Sequence, residues 1–530
     1  MHPLLALVLV AATLSIYVLG RRKSRPLPYP PTPPGHFLLG NLGDIQHKQL
    51  RYRYDELAKT YGESFSSGWR DSVANWIMAG EIFHLSALGQ HIIVLNTEEA
   101  AYELFTRRST IYSNRPQLPM IDLMGWDIAV AFMEYGDRWR AHRRLFQQGL
   151  NPRSVDKFRE ASTEKIHNYL GRLLTNPDNF SGEVEVLLGS LVMKIVYGHD
   201  IPGDGKDPTF AAIREGVQLL TSATLPGTWL VNSIHSIRHL PEWFPGCQFH
   251  QFARETKEVV ESFVVDPYER AKKNHSDKPC LVTLLEDSVA GGGHKNAGES
   301  YPREVCAVTY AATSETTSTV IHTFYLAMRQ HPEIQEKAYR EIMDVVGSDR
   351  LPDLSDRAAL PYVEAIYRET MRWMPPVPYS VPHSTSEDDV YNGYFIPKGS
   401  IVMANLWTMM NNEAKYPSPR KFMPERFLTP DGKFNGEDID AILAFGFGRR
   451  VCVGRHLADT AVWLLFACVL AVFNIDKPKD IGPEDEIDKL EDIDEAFTHT
   501  LVCSSMPFRC SITPRSREAE ETVRSVASTT

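Results

Sequence analysis

The chain has 530 residues, 43% of them hydrophobic and 23% charged, enough to bury one large core or two or three smaller ones. Its formal net charge of -11 excludes a general nucleic-acid binder, which needs a basic surface for phosphate. Seven cysteines, scattered and without a CxxC pair, exclude a disulfide scaffold or a zinc finger and fit a domain folded in a reducing compartment.

Residues 1–20, MHPLLALVLVAATLSIYVLG, are uncharged and mostly apolar, and Arg21, Arg22 and Lys23 follow. The length suits a transmembrane anchor, and the basic residues after it predict that the bulk of the chain lies in the cytosol. Residues 21–35 form a basic and proline-rich hinge with five prolines between Pro28 and Pro34, read as a stiff spacer outside any core. The body runs from 36 to 514, and the polar stretch 515–530 is predicted to be a disordered tail.

Helical periodicity dominates the body, at about residues 97–107, 137–150, 156–175, 303–331, 333–346 and 361–373. Alternating, β-branched stretches occur near 82–96 and 389–405, the second with NG and KG turn signals. The prediction is a mainly α fold with small β-sheets. The region 225–246 is rich in Trp, Leu and Pro, and Trp229, Trp243 and Phe244 are candidates for either interfacial anchors or core.

Five short stretches carry polar chemistry in unusual places. YAATSETTST puts Glu315, Thr316 and Thr317 into an apolar helix, where unpaired polar groups are costly unless the threonines bond back to the preceding turn. YRETMR sets Glu369 and Arg372 one helical turn apart, and MPERFL supplies a second arginine, Arg426, to the same acid. WRAHR puts Trp139 and Arg143 on one helical face, an indole N–H and a guanidinium able to clamp a carboxylate. FGFGRRVCVGRHLA surrounds Cys452 with glycines and arginines just before a run of helix formers, a setting that favours a thiolate.

ATSETT, ETMR, PERF and FGFGRRVCVG, in that order behind an apolar N-terminus, resemble the cytochrome P450 family of haem-thiolate monooxygenases. The resemblance covers the body from Pro28 to about Pro514 and is greatest to membrane-anchored fungal members that tailor secondary metabolites. It implies the cytochrome P450 fold, a single large domain, and haem b held by Cys452 as the axial thiolate ligand of the iron. Gly446, Gly448 and Gly454 would let the cysteine loop turn beneath the porphyrin. Arg450, Trp139, Arg143 and His383 match propionate-binding positions. Glu315 and Thr316 match the acid-alcohol pair that delivers protons on the oxygen side, and Glu369, Arg372 and Arg426 the buried ion triad that locks the core. The pattern departs at Thr313, where the family has glycine. Substrate-pocket positions by the same resemblance are Met124, Trp126, Tyr310, Thr313, Tyr379, Val381, Leu501 and Val502. Arg140, Arg144 and Arg449 would face an acidic electron donor.

The resemblance implies a monooxygenase that inserts one oxygen atom from O2 into a small lipophilic molecule, a secondary metabolite of terpenoid, polyketide or indole type. No GxGxxG or GxxxxGK[ST] motif is present, so NADPH would act only indirectly, through a separate cytochrome P450 reductase-type donor. The implied location is the endoplasmic reticulum membrane, with a single-pass N-terminal anchor in lipid and a cytosolic catalytic domain. The alternatives are a haem-thiolate isomerase or dehydratase acting on a peroxide without a reductase, and a non-enzymatic membrane haem binder. The acid-alcohol pair, superfluous to both, argues against them.

Overall fold

The computed structural model describes residues 27–528 apart from 38, 48, 64–79, 88, 203–206, 225–227, 275–277, 291–297, 299, 481–485, 491–492 and 499. The expected anchor at 1–20 and residues 21–26 of the hinge lie outside the described residues. The longer helices are α1 (Leu50–Glu63), α2 (Asp137–Leu150), α3 (Arg159–Thr175), α4 (Phe180–Tyr197), α5 (Pro208–Thr224), α6 (Phe249–Asn274), α7 (Leu281–Ala290), α8 (Tyr301–Gln330), α9 (Pro332–Val345), α10 (Pro361–Trp373), α11 (Arg455–Val472) and α12 (Arg517–Ser528). Proline stands at the start of α8, α9 and α10, where its missing N–H would be unpaired anyway and its fixed φ suits the first turn.

The 30-residue α8 joins two hydrophobic cores. Its C-terminal half packs with α3, α4, α9, α10 and α11, where Phe324 stacks on Phe466 at 3.8 Å between ring centroids. Its N-terminal half packs with α2, α5, α6 and α7, where Trp126 meets Phe263 at 5.7 Å. Both α4 and α11 are apolar on nearly every side because both sit between other helices. Among the described residues, α11 is also the one helix long and apolar enough to cross a membrane, with mean hydropathy 1.5, yet 72% of it is buried inside the protein. It is a core helix.

A four-stranded sheet flanks the helices. Its strands are β1 (Ile82–Ala87), β2 (Gln90–Leu95), β3 (His383–Ser384) and β6 (Ile401–Ala404), in the order β1-β2-β6-β3, and between β3 and β6 lies the hairpin β4 (Asp389–Tyr391)–β5 (Tyr394–Ile396). Asn392 and Gly393 take φ of 50° and 79° at the hairpin, the paired positive φ that a two-residue type I′ turn requires. A further pair, β7 (Phe473–Asp476) and β8 (Ser511–Pro514), is antiparallel and had no sequence signal.

Two expectations are corrected. The described part of the proline-rich hinge is not a free spacer: Pro31 O accepts from His84 N (2.8 Å), Pro28 O from Phe395 N (2.7 Å), and Tyr29 stacks on His84. Prolines donate no main-chain hydrogen bond, but their carbonyls accept, so the segment lies along the sheet. The tail is not disordered, since residues 517–528 form α12. Its polar composition belongs to the outer face, carrying Arg517–Glu521 and Arg524–Glu520 pairs at 2.9 and 2.6 Å. The inner face buries Val523 completely and packs Ala519 and Val526 on the first core.

Opposite α12, a Cβ on Gly171 would lie 2.7 Å from Ala527 Cβ. Gly171→Val is therefore expected to displace α12, and Val523→Asp to destabilise the fold by about 2–4 kcal/mol. Thermal unfolding of the two variants beside the parent checks both.

Candidate functional site

A large cavity lies between α8 and the segment that carries Cys452, closed at one end by α2 and the turn at β3. The cysteine loop is shaped by glycine. Gly446 and Gly448 take φ of 77° and 56°, and a Cβ on Gly448 would fall 2.1 Å from Phe105 O, so this position tolerates no side chain. Cys452 N donates to Phe445 O (2.8 Å), which folds the loop back and turns the thiol into the cavity. The thiol is thus deep in the molecule yet open to the cavity. Burial pushes its pKa up, opposed by the backbone N–H groups of Gly454 and Arg455 at the start of α11 and by the charges of Arg143 and Arg455. Burial thus opposes the groups that favour a thiolate, and a bound metal cation would turn the balance toward it.

At the closed end stand three arginines. Arg450 donates to Ser113 O, Val130 O and Met133 O at 2.9, 2.9 and 2.7 Å and lies over the Trp139 ring at 4.6 Å. Arg115 donates to Ala131 O, Val381 O and Pro382 O at 2.7, 2.7 and 2.8 Å. Arg143 lines the same cavity. Among the described residues none of the three meets a carboxylate. Burial lowers Arg450 to about 9 and Arg143 to about 10, and holds Arg115 well below the usual arginine range, with Arg450 adding repulsion. Trp139 adds a buried indole N–H without a partner. His383 stacks on Phe105 at 4.0 Å with Nδ1 bonded to Tyr112 O (2.7 Å), leaving Nε2 for the cavity. Among the described residues this donor set meets carbonyls but no carboxylate, and it fits a group with two carboxylates, such as the propionates of haem.

On the opposite wall, α8 presents Val308, Thr309, Ala312, Thr313, Thr316 and Thr317. Thr309, Thr313 and Thr316 each bond back to the carbonyl four residues earlier, all at 2.7 Å, and α8 runs without interruption through Thr313. Glu315 turns away from the cavity toward α5, within 3.3 Å of Thr221 Oγ1, and burial raises its pKa against that hydrogen bond.

Of the other sequence candidates, Thr313 and Val381 line the cavity and six do not. Met124 and Trp126 belong to the second core. Tyr310 points its hydroxyl at Gly189 O, and Tyr379 packs against Tyr54. Leu501 and Val502 lie on a turn in which Val502 O accepts from Thr500. The lining comes instead from residues such as Phe105, Val308, Thr309, Val377, Ser380 and Leu406. Arg115 was missed; its SNRP context carries no periodic signal, and only the fold brings it beside Arg450.

Two ion clusters brace the site. Glu369, fully buried, meets Arg372 at 2.6 and 2.9 Å, Arg426 at 3.2 Å and Met423 N at 2.8 Å. Sequence reasoning also missed Arg357, which grips Glu364 on α10 (2.8 and 3.1 Å) and Asp459 on α11 (2.7 and 2.9 Å). That cluster fixes the helix that follows Cys452.

Compared with known families, residues 30–493 match Cytochrome P450. The chain is 36% identical to Cytochrome P450 monooxygenase 98 of Postia placenta, across 99% of this chain and 98% of that protein. It is 34% identical to Cytochrome P450 monooxygenase COX2 of Coprinopsis cinerea, across 96% and 93%. It is 32% identical to Tryptamine 4-monooxygenase of Psilocybe cyanescens, across 96% and 97%.

Removing the buried acid tests the bracing. Glu369→Ala strands two guanidiniums and is expected to cost about 3–5 kcal/mol, seen as a lower denaturant midpoint. A midpoint within error of the parent would show that the cluster is dispensable.

Proposed function

Because this chain belongs to the cytochrome P450 family and is a monooxygenase, we propose that it binds haem b through Cys452 and oxidises a small, neutral, lipophilic secondary metabolite. The observation that carries the reading is a set of three arginines, Arg115 buried and Arg143 and Arg450 half-buried, facing one cavity with no carboxylate partner among the described residues. Haem in this cavity would supply dioxygen binding and activation, tuned by the sulfur of Cys452. The chain's own groups do the rest. Cys452 offers its sulfur from a loop steadied by the N-terminus of α11. Arg115, Trp139, Arg143, His383 and Arg450 would hold the propionates. Glu315, whose carboxyl pKa burial raises, would have to turn from Thr221 to donate a proton, and Thr316 Oγ1, released from Ala312 O, would pass it into the cavity. The net reaction turns R–H, O2, NADPH and H⁺ into R–OH, water and NADP⁺.

The composition of the wall supports the substrate class. Among the described residues no Asp or Glu lines the cavity, and the threonine hydroxyls of α8 are turned back onto the helix. A protonated amine would be left there without a counter-charge. Neutral terpenoids, polyketides and indoles fit.

Electrons would come from a separate NADPH-dependent reductase, supported by a basic groove of Arg140, Arg143, Arg144 and Arg449 beside the cysteine loop. Attachment to the endoplasmic reticulum membrane is supported by the apolar residues 1–20 and by the exposed Leu230, Ile234, Trp243 (80%) and Phe244.

The experiment is turnover under ¹⁸O2 with reductase, NADPH and a panel of neutral metabolites. One ¹⁸O atom per product, dependent on reductase, is expected; conversion of a peroxide without reductase would favour the isomerase reading instead. In the same assay Thr316→Ala is expected to lower product per NADPH by about tenfold or more, with hydrogen peroxide released in its place.

A further inference from the structure

Trp139 and Arg143 lack what holds the other cavity cations in place. Arg450 and Arg115 are each caged by three backbone carbonyls. Trp139 Nε1 is buried without a partner, and Arg143 makes no hydrogen bond or ion pair with any described residue. Ring contacts with Arg450 and Tyr135 pack Trp139, but no hydrogen bond to a described residue fixes either side chain, so their reach into the cavity is set by where α2 sits.

Between them in sequence is His142, fully buried on α2. Its Nδ1 lies 2.9 Å from Arg138 O and its Nε2 lies 2.7 Å from Glu304 Oε2. Both ring nitrogens are thus held, one at a carbonyl and one at a carboxylate, so the ring is fixed between α2 and the start of α8. Glu304 stands in the first turn of α8, where the helix dipole favours an anion. It also accepts from Ser300 Oγ at 2.6 Å and Arg138 at 3.2 Å, while Arg138 pairs with Asp127 at 2.7 Å. The Tyr301 ring lies 4.3 Å from the imidazole. Burial alone would raise the Glu304 carboxyl, but the bonds from His142 and Ser300 and the charges of His142 and Arg138 outweigh it and hold it at about 2. The Glu304 carboxylate is ionised and its bond to the buried imidazole bridges two helices away from water, the setting in which a charge-assisted hydrogen bond fixes geometry most firmly.

We propose that the His142–Glu304 pair is the positioning element of α2. By tying α2 to the start of α8, it holds Trp139 and Arg143 at the cavity and sets how tightly they grip the haem propionates. The same tie joins the helix that carries the basic groove to the helix that carries Thr316. The inference rests on the reading that Trp139 and Arg143 bind haem.

The test uses the haem-loaded protein and the variant Glu304→Gln, which keeps the shape of the side chain and removes its charge. Two readouts are taken: the rate of haem transfer to an apo-globin scavenger and the reduction potential of the haem that remains bound. Transfer about tenfold faster and a more negative potential, as the propionates lose compensating charge, are expected. A lower unfolding temperature with parental transfer rate and potential would make the pair a structural tie alone and overturn the proposal. If Glu304→Gln yields no holoprotein, His142→Gln carries the same test on the same readouts. Trp139→Phe separates the two levels: if it also leaves transfer and potential unchanged, the haem-clamp reading fails; if it changes both while Glu304→Gln does not, only the positioning role fails.

Discussion

Arg115, Arg143 and Arg450 are gathered at one end of a cavity with no described carboxylate to balance them, and the rest of the site is organised around that excess charge. Burying a guanidinium costs several kcal/mol unless an anion offsets it, and backbone carbonyls supply hydrogen bonds but only partial charge. The cages around Arg115 and Arg450 fix direction without neutralising. A site left in this condition is complete only with a dianionic partner. The opposite feature of the cavity, a thiol that opens into it and whose pKa the surrounding protein pushes up, suits a cation. A group carrying a metal at its centre and two carboxylates at its edge answers both demands.

Holding such a group needs rigid walls, and the ion clusters provide them where loops would not. Glu369 ties α10 to the segment around Met423 and Arg426, and Arg357 ties α10 to α11 just beyond Cys452. The cysteine loop hangs between these two anchors. Its own contribution is backbone fit: Gly448 lies against the carbonyl of Phe105 so closely that a single methyl group would force the loop away. On the opposite wall the threonines of α8 satisfy their hydroxyls within the helix, so a stretch that looks polar in sequence gives an apolar surface. Thr313 thus replaces glycine without interrupting α8.

What could be read in the sequence depended on which force left a local mark. Helices α8, α9 and α10 begin where proline punctuates the pattern, and the hairpin turn is written in Asn392 and Gly393. The residues of Glu369's cluster announced themselves as charges in apolar surroundings. By contrast, α4 and α11 are buried on nearly all sides, so they show no amphipathic period. The β7–β8 pairing joins residues far apart in the chain. For α12, composition misled, because its apolar stripe is narrow and only docking on α3 orders it. The pocket residues failed for a related reason: Met124, Trp126, Tyr310 and Tyr379 occupy plausible chain positions, but only the fold decides whether a side chain faces the cavity or the core behind it.

The central claim is that Cys452 supplies the thiolate ligand of a haem iron. The measurement that tests it most directly is the carbon-monoxide difference spectrum of the reduced protein, recorded beside Cys452→Ala. The account predicts a strongly red-shifted Soret band in the parent and its loss in the variant. The same band in the variant, or its absence from a folded, haem-loaded parent, would contradict it.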